Sequence, residues 1–125
     1  MAIENVQYSS GDSHENADRT ITTVINGDVE GFSPEQVRLI HVHKESNLGG
    51  HWRDYPEIYG IIGQAPVTLE DIYSKIRQEY NFKTGDRLFV PARVALAMQS
   101  MEGTTIVTCG PKADREKQTY KCEIK

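Results

Sequence analysis

The sequence predicts an all-β protein, a single-domain barrel or sandwich built from short strands. Segments rich in Val, Ile and Thr recur along the chain, at residues 20–25, 37–42 and 104–109. Turns that contain Gly or Pro separate such segments, and little of the chain has a clear helical pattern. This alternation is typical of β-sandwiches and barrels. At 125 residues, the chain has the size of one domain that buries a core without metal or disulfides.

The N-terminal part changes character along its length. Residues 1–19 are polar and rich in Ser, Asn, Asp and Glu, so we expect a loosely ordered segment ahead of a single domain at 20–125. The first β-branched run predicts a strand. Asn26-Gly27 follows it and tolerates the positive φ angles of a tight hairpin turn. A second turn is predicted at residues 31–34, where proline fixes φ.

The middle of the chain contains two further predicted strands, at residues 37–42 and 57–62. Each is followed by a glycine-containing segment, at residues 47–50 and 63–66, and these segments predict loops. The sequence therefore predicts strands that are interrupted by irregular connections in this region.

Residues 67–82 fit two patterns. A helical spacing is formed by Leu69, Ile72, Tyr73, Ile76 and Tyr80 and favours an amphipathic helix. Alternating apolar residues at both ends of the segment instead fit two strands joined near Ser74-Lys75. Periodicity alone favours the helix.

The C-terminal third returns to strand signals. Residues 83–86 predict a turn, and residues 87–90 predict a short strand that ends at Pro91. The run at 104–109 predicts a strand that ends at Gly110-Pro111.

Composition excludes several classes of function. The net charge of −4 argues against non-specific binding of nucleic acid, which needs clustered Lys and Arg. No apolar run has the length of a membrane span, and the N-terminus lacks the pattern of a signal peptide. We expect a cytoplasmic protein without a nucleic-acid or membrane partner.

Cys109 and Cys122 lack the second pair that a zinc site of cysteines requires. They flank a polar loop and could face each other across a hairpin. A reducing cytosol favours ordinary thiols, and we assign them no redox role.

Two motifs carry a family resemblance. The first is Gly50-His51-Trp52-Arg53-Asp54-Tyr55-Pro56-Glu57, followed by Gly63, and the second is Gly85-Asp86-Arg87-Leu88-Phe89-Val90-Pro91. In this order and separation they resemble the two motifs of the cupin superfamily, over roughly residues 37–109. The resemblance implies a jelly-roll β-barrel of RmlC-like type. It also implies a strand pair between the motifs, so we expect a hairpin at residues 67–82.

The resemblance implies an incomplete metal site. Cupins hold a divalent metal with two histidines and a glutamate of the first motif and a histidine of the second. Carried over, His51 is the first ligand and Glu57 the third. Arg53 occupies the second position and cannot ligate because it stays protonated, and apolar Leu96 falls at or near the fourth. We expect either no cofactor or a weakly bound divalent metal.

Two further arrangements remain open. His41 and His43 lie two apart, so both point to one face of their strand, and from an interior face either could join His51 and Glu57 around a metal. The alternative is that Ile40 and Val42 face inward. Without a metal, Arg53 and Glu57 could pair inside the barrel, and Arg53 could anchor a carboxylate or phosphate. Trp52 beside them could stack on a sugar or base ring, or pack in the core.

Three functions follow from the resemblance. The first is binding of a small anionic or sugar-like ligand in the barrel without turnover. The second is a metal-free sugar-nucleotide isomerase or epimerase, with His51 as base and Tyr55 or Tyr59 as acid. The third is a metal-dependent enzyme that uses His41 or His43. We also expect a homodimer, because the hairpin around Asn26-Gly27 offers an edge that a second copy can cover.

Overall fold

The computed structural model describes residues 2–10, 13–25, 32–112, 117–122 and 124. None of these residues is helical, as the all-β prediction requires. The described strands, in chain order, are β1 (Gln7–Ser9), β2 (Ser13–Glu15), β3 (Thr20–Thr22), β4 (Gln36–His41), β5 (Ser46–Arg53), β6 (Glu57–Ile62), β7 (Gln64–Asp71), β8 (Arg77–Lys83), β9 (Arg87–Val90), β10 (Val94–Ser100), β11 (Thr105–Gly110) and β12 (Thr119–Lys121).

The strands form two five-stranded antiparallel sheets. The first sheet has the order β1-β9-β6-β11-β4 and the second has the order β12-β5-β10-β7-β8, while β2 and β3 form a separate pair. Apolar side chains from both sheets form one core between them. Its fully buried members include Ile61, Leu88 and Ile106 from the first sheet and Leu69, Phe82 and Met98 from the second. The predicted all-β architecture is confirmed, as two antiparallel sheets packed on one core.

The hairpin prediction for residues 67–82 is confirmed as well. β7 pairs with β8 in antiparallel register, with Val67 opposite Tyr80. In the turn between them Lys75 adopts a φ of 64°. The alternative prediction of an amphipathic helix is wrong. Such a helix would bury Leu69 and Tyr73 on one face, but Leu69 is 0% exposed and Tyr73 is 75% exposed.

Part of the N-terminal segment belongs to the first sheet and the core, in contrast to the loose order that its composition predicts. Ile3 is 4% exposed and packs in the core, and β1 pairs with β9. The Tyr8 ring stacks on Tyr80 with 4.5 Å between ring centroids. Its hydroxyl donates to the buried carboxylate of Asp86, 2.5 Å away, so Asp86 is more than the turn residue of its motif. These contacts are long-range, and composition does not reveal them.

Two predicted loops are instead strand. Residues 47–50 lie within β5, where Gly49 and Gly50 have φ of 108° and 74° beside a register shift of β10 between Leu96 and Ala97. Glycine inside a strand commonly marks such a bulge. Residues 64–66 begin β7, and Pro66 is tolerated because the pairing of β7 with β10 stops at Val67. β10, which lies between these two strands, was not predicted as an element.

Some predictions lie outside the described residues, namely the turn at Asn26-Gly27 and the dimer edge expected there. Cys109 and Cys122 are both free thiols, the first buried and the second half-buried. Among the described residues, no helix has the length and apolarity needed to cross a membrane.

Candidate functional site

Two adjacent segments of the chain bring the first-motif side chains together. His51 and Arg53 lie two apart on β5, and Glu57 and Tyr59 lie two apart on β6, so each pair shares one face of its strand. All four line a concave space, here named the Glu57 cavity. Its other lining residues are Trp52, Tyr55, Val90, Pro91, Val94 and Leu96.

Arg53, Glu57 and Tyr59 form a closed polar triangle. Nη1 of Arg53 donates to Oε1 of Glu57 at 2.6 Å and to the Tyr59 hydroxyl at 3.3 Å. The Tyr59 hydroxyl in turn donates to the same Oε1 at 2.7 Å. Glu57 is 3% exposed, so its carboxylate is shielded from water and bound by these two groups. The interior ion pair, one of the two arrangements left open by the sequence, is therefore formed.

Arg53 is held from further directions. Its Nε donates to Oγ1 of Thr119 on β12 at 3.2 Å, and its guanidinium carbon lies 6.0 Å from the centre of the Tyr55 ring. Burial lowers the pKa of Arg53, but the neighbouring Tyr59 and Glu57 outweigh this effect and raise it. The guanidinium thus remains a cation in the folded protein. Sequence reasoning missed Thr119, because no local signal places the C-terminal strand beside β5.

The donor set of the Glu57 cavity does not fit a cupin metal. Leu96 pairs directly with His51 across β10 and β5, so the position aligned with the fourth ligand does face the site, with an apolar side chain. Glu57, the third position, is already bound by Arg53. The described residues contain no group of three or more His, Cys, Asp or Glu side chains arranged to hold a metal.

His41 and His43 lie away from this cavity, contrary to the arrangement in which either of them joins His51 and Glu57 around a metal or binds a ligand in the barrel. Both are exposed, whereas Val42 between them is 4% exposed and Ile40 packs against the core. His41 contacts the Thr105 hydroxyl through Nδ1 at 2.9 Å, on the outer side of the first sheet. Ile40 and Val42 face the core because burial of apolar side chains is favourable. The alternation along the chain then places His41 and His43 on the outer face.

Trp52 lines the Glu57 cavity, but its ring stacks on a residue that does not line this cavity. Its ring lies on Tyr120 of β12, with 4.2 Å between centroids and 17° between planes. This stack joins a residue of β5 to a residue of β12, so Trp52 packs β12 onto β5. Tyr55 and Tyr59, the two candidate acids, are 6% and 5% exposed and line the same cavity as His51.

A second concave space, here named the Arg38 cavity, adjoins the first. The two share His51, Arg53, Tyr59 and Leu96. The Arg38 cavity is otherwise lined by Arg38, Ile40, Leu48, Gly49, Met98, Ile106 and Thr108. Sequence reasoning missed Arg38 and Thr108, although the alternation with inward Ile40 places Arg38 on the same face.

No family model and no curated protein matches the sequence. Solved structures do share the fold. The 3,4-ketoisomerase QdtA from Thermoanaerobacterium thermosaccharolyticum is 14% identical, with a TM-score of 0.75 over 94% of this chain and 88% of that chain. The TDP-fucose-3,4-ketoisomerase WlaRA from Campylobacter jejuni is 15% identical, with a TM-score of 0.72 over 92% and 87%.

The dTDP-4-dehydrorhamnose 3,5-epimerase from Bacillus anthracis is 12% identical, with a TM-score of 0.78 over 94% of this chain and 78% of that chain. That structure contains TDP and pyrophosphate, and the QdtA structure, a variant, contains TDP-4-keto-6-deoxyglucose. At these identities the likeness establishes the fold, which is the RmlC-like cupin jelly roll.

Proposed function

We propose that this protein is a metal-independent isomerase or epimerase that acts on the sugar of a nucleotide-linked sugar, with His51 as its base. One observation carries the proposal: His51 shares a cavity with two buried phenols, where an ion pair and a leucine occupy positions of metal ligands. The fold likeness to sugar-nucleotide ketoisomerases and an epimerase supports this function over ligand binding without turnover, which the sequence ranked first.

The proposed chemistry is proton transfer at a carbon next to a ketone. His51 in its neutral form accepts the proton, and the electron pair of the broken C–H bond moves into the carbonyl to give an enolate. Return of a proton to the opposite face of the same carbon gives an epimer. If that carbon carries a hydroxyl, transfer of the hydroxyl proton to the former carbonyl oxygen and return of the carbon-bound proton to the former carbonyl carbon give the isomeric ketone. An imidazole suits this role because it titrates near neutral pH.

Two phenols are candidates for the acid. The Tyr59 hydroxyl accepts from Arg53 at 3.3 Å and donates to the Glu57 carboxylate at 2.7 Å, so its proton is held by a hydrogen bond inside the cavity. Tyr55 has the same guanidinium near its ring. Glu57 holds Arg53 in place by the ion pair at 2.6 Å. Both phenols therefore lie beside the Arg53–Glu57 ion pair, whose two charges act on their ionisation in opposite directions.

Hydrogen exchange tests the proposal without knowledge of the product. TDP-4-keto-6-deoxyglucose is incubated with the protein in heavy water, and deuterium at the carbons next to the ketone is followed by mass spectrometry and NMR. We expect exchange with the parent protein and a loss of about 100-fold or more in His51→Asn, as removal of a general base produces. Tyr55→Phe and Tyr59→Phe are compared to find the acid.

His41→Asn is the matched control, because His41 is exposed on the outer side of the sheet and its loss should leave exchange unchanged. Exchange in the parent that survives His51→Asn would contradict the role of His51. Tight binding of the sugar nucleotide with no exchange in the parent would instead favour ligand binding without turnover.

A further inference from the structure

Arg38 and Thr108 lie side by side at the Arg38 cavity. They are direct partners in the antiparallel pairing of β4 with β11, and both line the cavity. Partners in such a pair present their side chains on the same face of the sheet, within contact distance of one another. A guanidinium and a hydroxyl therefore occupy one wall of this space, next to apolar Ile40 and Ile106.

Arg38 is a cation without a counter-charge in the described part of the chain. The described residues form three ion pairs, Arg53–Glu57, Arg77–Glu70 and Lys83–Asp86, and Arg38 belongs to none of them. Arg53 also lines the cavity, but its charge is offset by Glu57 at 2.6 Å. The charge available to an incoming anion is accordingly that of Arg38, rather than that of Arg53, which the sequence suggested as the anion anchor.

The Thr108 hydroxyl is a second polar group that lacks a partner. Thr108 is 3% exposed, and its Oγ1 makes no hydrogen bond to any described residue. Burial of a hydroxyl without a partner destabilises a fold, and buried polar side chains are usually satisfied. A ligand oxygen that accepts a hydrogen bond from Thr108 removes this penalty.

We infer that Arg38 and Thr108 form an anion subsite, in which the guanidinium and the hydroxyl both donate to one oxyanion of the ligand. The inference deepens the proposed function and rests on it for the identity of the ligand, a nucleotide-linked sugar. An arginine fork binds phosphate or carboxylate oxygens through parallel charge-assisted hydrogen bonds. The same cavity includes His51, so an anion held at Arg38 positions the rest of the ligand beside the proposed base.

Isothermal titration at constant ionic strength tests the subsite. Pyrophosphate and TDP represent the phosphate source of the oxyanion, and glucuronate represents a carboxylate source. We expect Arg38→Met to weaken binding of pyrophosphate about tenfold or more, because charge-assisted hydrogen bonds are lost. Thr108→Val keeps the side-chain shape and should weaken the same binding about fivefold. Because this variant removes a buried hydroxyl without a partner, it should also raise Tm.

Two control variants repeat the same substitutions at positions outside the subsite. Arg93→Met removes one positive charge from an exposed position that lines neither cavity. Thr105→Val alters another threonine of β11, three residues from Thr108 and on the outer side with His41. Neither control should change the affinity for pyrophosphate by more than about twofold.

The outcomes separate this inference from the proposed function. Pyrophosphate affinity that is unchanged in Arg38→Met and Thr108→Val, or that falls equally in the controls, would overturn the subsite, as would a parent that binds none of the three probes. Binding of glucuronate alone would support the subsite and reassign its anion to a carboxylate. Binding that depends on Arg38, in a protein that shows no deuterium exchange, would support the subsite and refute the isomerase function.

Discussion

Leu96 lies directly opposite His51 in the antiparallel pairing of β10 with β5, and both side chains line the Glu57 cavity. The position that the sequence aligned with a metal-binding histidine is therefore at the site, but it carries an apolar side chain. Arg53, two residues from His51, is bound to Glu57. The cavity thus has an apolar side chain and an ion pair at positions that the sequence aligned with metal ligands.

The first prediction restores the missing ligands. The double variant Arg53→His, Leu96→His should bind Zn²⁺ or Mn²⁺ more tightly than the parent, because it removes a fixed positive charge and adds two imidazoles. Titration calorimetry measures the affinity, and a rise of Tm with metal provides a second readout. Leu96→His alone is the control, since Arg53 still repels the cation and binds Glu57. Equal metal affinity in parent and double variant would mean that other residues supply the ligands.

The second prediction concerns the buried ion pair. Arg53→Met leaves the Glu57 carboxylate, 3% exposed, without its cation and should lower the free energy of unfolding by about 3–5 kcal/mol. Denaturant unfolding measures it. Arg77→Met breaks the more exposed pair with Glu70, in which the side chains are 36% and 19% exposed, and should cost at most about 1 kcal/mol.

Adding Glu57→Gln to Arg53→Met should restore part of the lost stability, because the carboxylate is no longer charged. Equal losses in Arg53→Met and Arg77→Met would show that the Glu57 cavity is well solvated in the native protein.

The third prediction is a loss of stability at high pH. Burial and the hydrogen bond to Asp86 raise the pKa of Tyr8 to about 12. Because the folded protein holds this proton more tightly than the unfolded chain, the stabilisation is complete below the unfolded pKa of about 10. It is lost as the pH rises from about 10 to about 12. Burial also raises the pKa of Tyr80, which stacks on Tyr8 and acts in the same direction.

Denaturant unfolding between pH 8 and pH 12 measures this dependence. Tyr8→Phe should lower stability at pH 8 by about 1–3 kcal/mol, because Asp86 loses a buried donor, and it should flatten the decline above pH 10. Tyr73→Phe is the control, since Tyr73 is 75% exposed. A decline of the same steepness in Tyr8→Phe and parent would assign the effect to other groups, such as Lys83 beside Asp86.

The fourth prediction concerns the bulge that carries His51. An added Cβ at Gly49 would overlap the Leu96 carbonyl oxygen, and the φ of 108° disfavours any L side chain. Gly49→Ala should therefore cost about 3 kcal/mol or more. It should also reduce deuterium exchange in the folded fraction, because β5 shifts against β10.

Gly50→Ala is a close control. Gly50 also has a positive φ, of 74°, but its Cβ would meet only the Cys122 carbonyl oxygen at an ordinary 3.6 Å. Its cost should be limited to backbone strain of about 1 kcal/mol. A similar loss of stability in both variants would show that β10 moves aside at little expense.

Much of the barrel follows from local patterns in the sequence. Alternation and β-branched runs define β6 and β9 with the predicted bounds, and β4 and β11 to within a residue or two. The motif spacing also identifies His51, Arg53 and Glu57 as neighbours, because residues two apart on a strand share a face. These features are set by residues close together in the sequence, so a local sequence pattern is enough to predict them.

Other features depend on which strands become neighbours. The sequence left open whether Arg53 pairs with Glu57, and whether His41 or Ile40 faces inward. The structure decides both, by burial of Ile40 and by the ion pair. It also brings Thr119 to Arg53 and sets Arg38 beside Thr108, over 66 and 70 residues of chain (108 minus 38). Strand register is a long-range choice made by the packing of two sheets on one core, so only the tertiary structure determines these contacts.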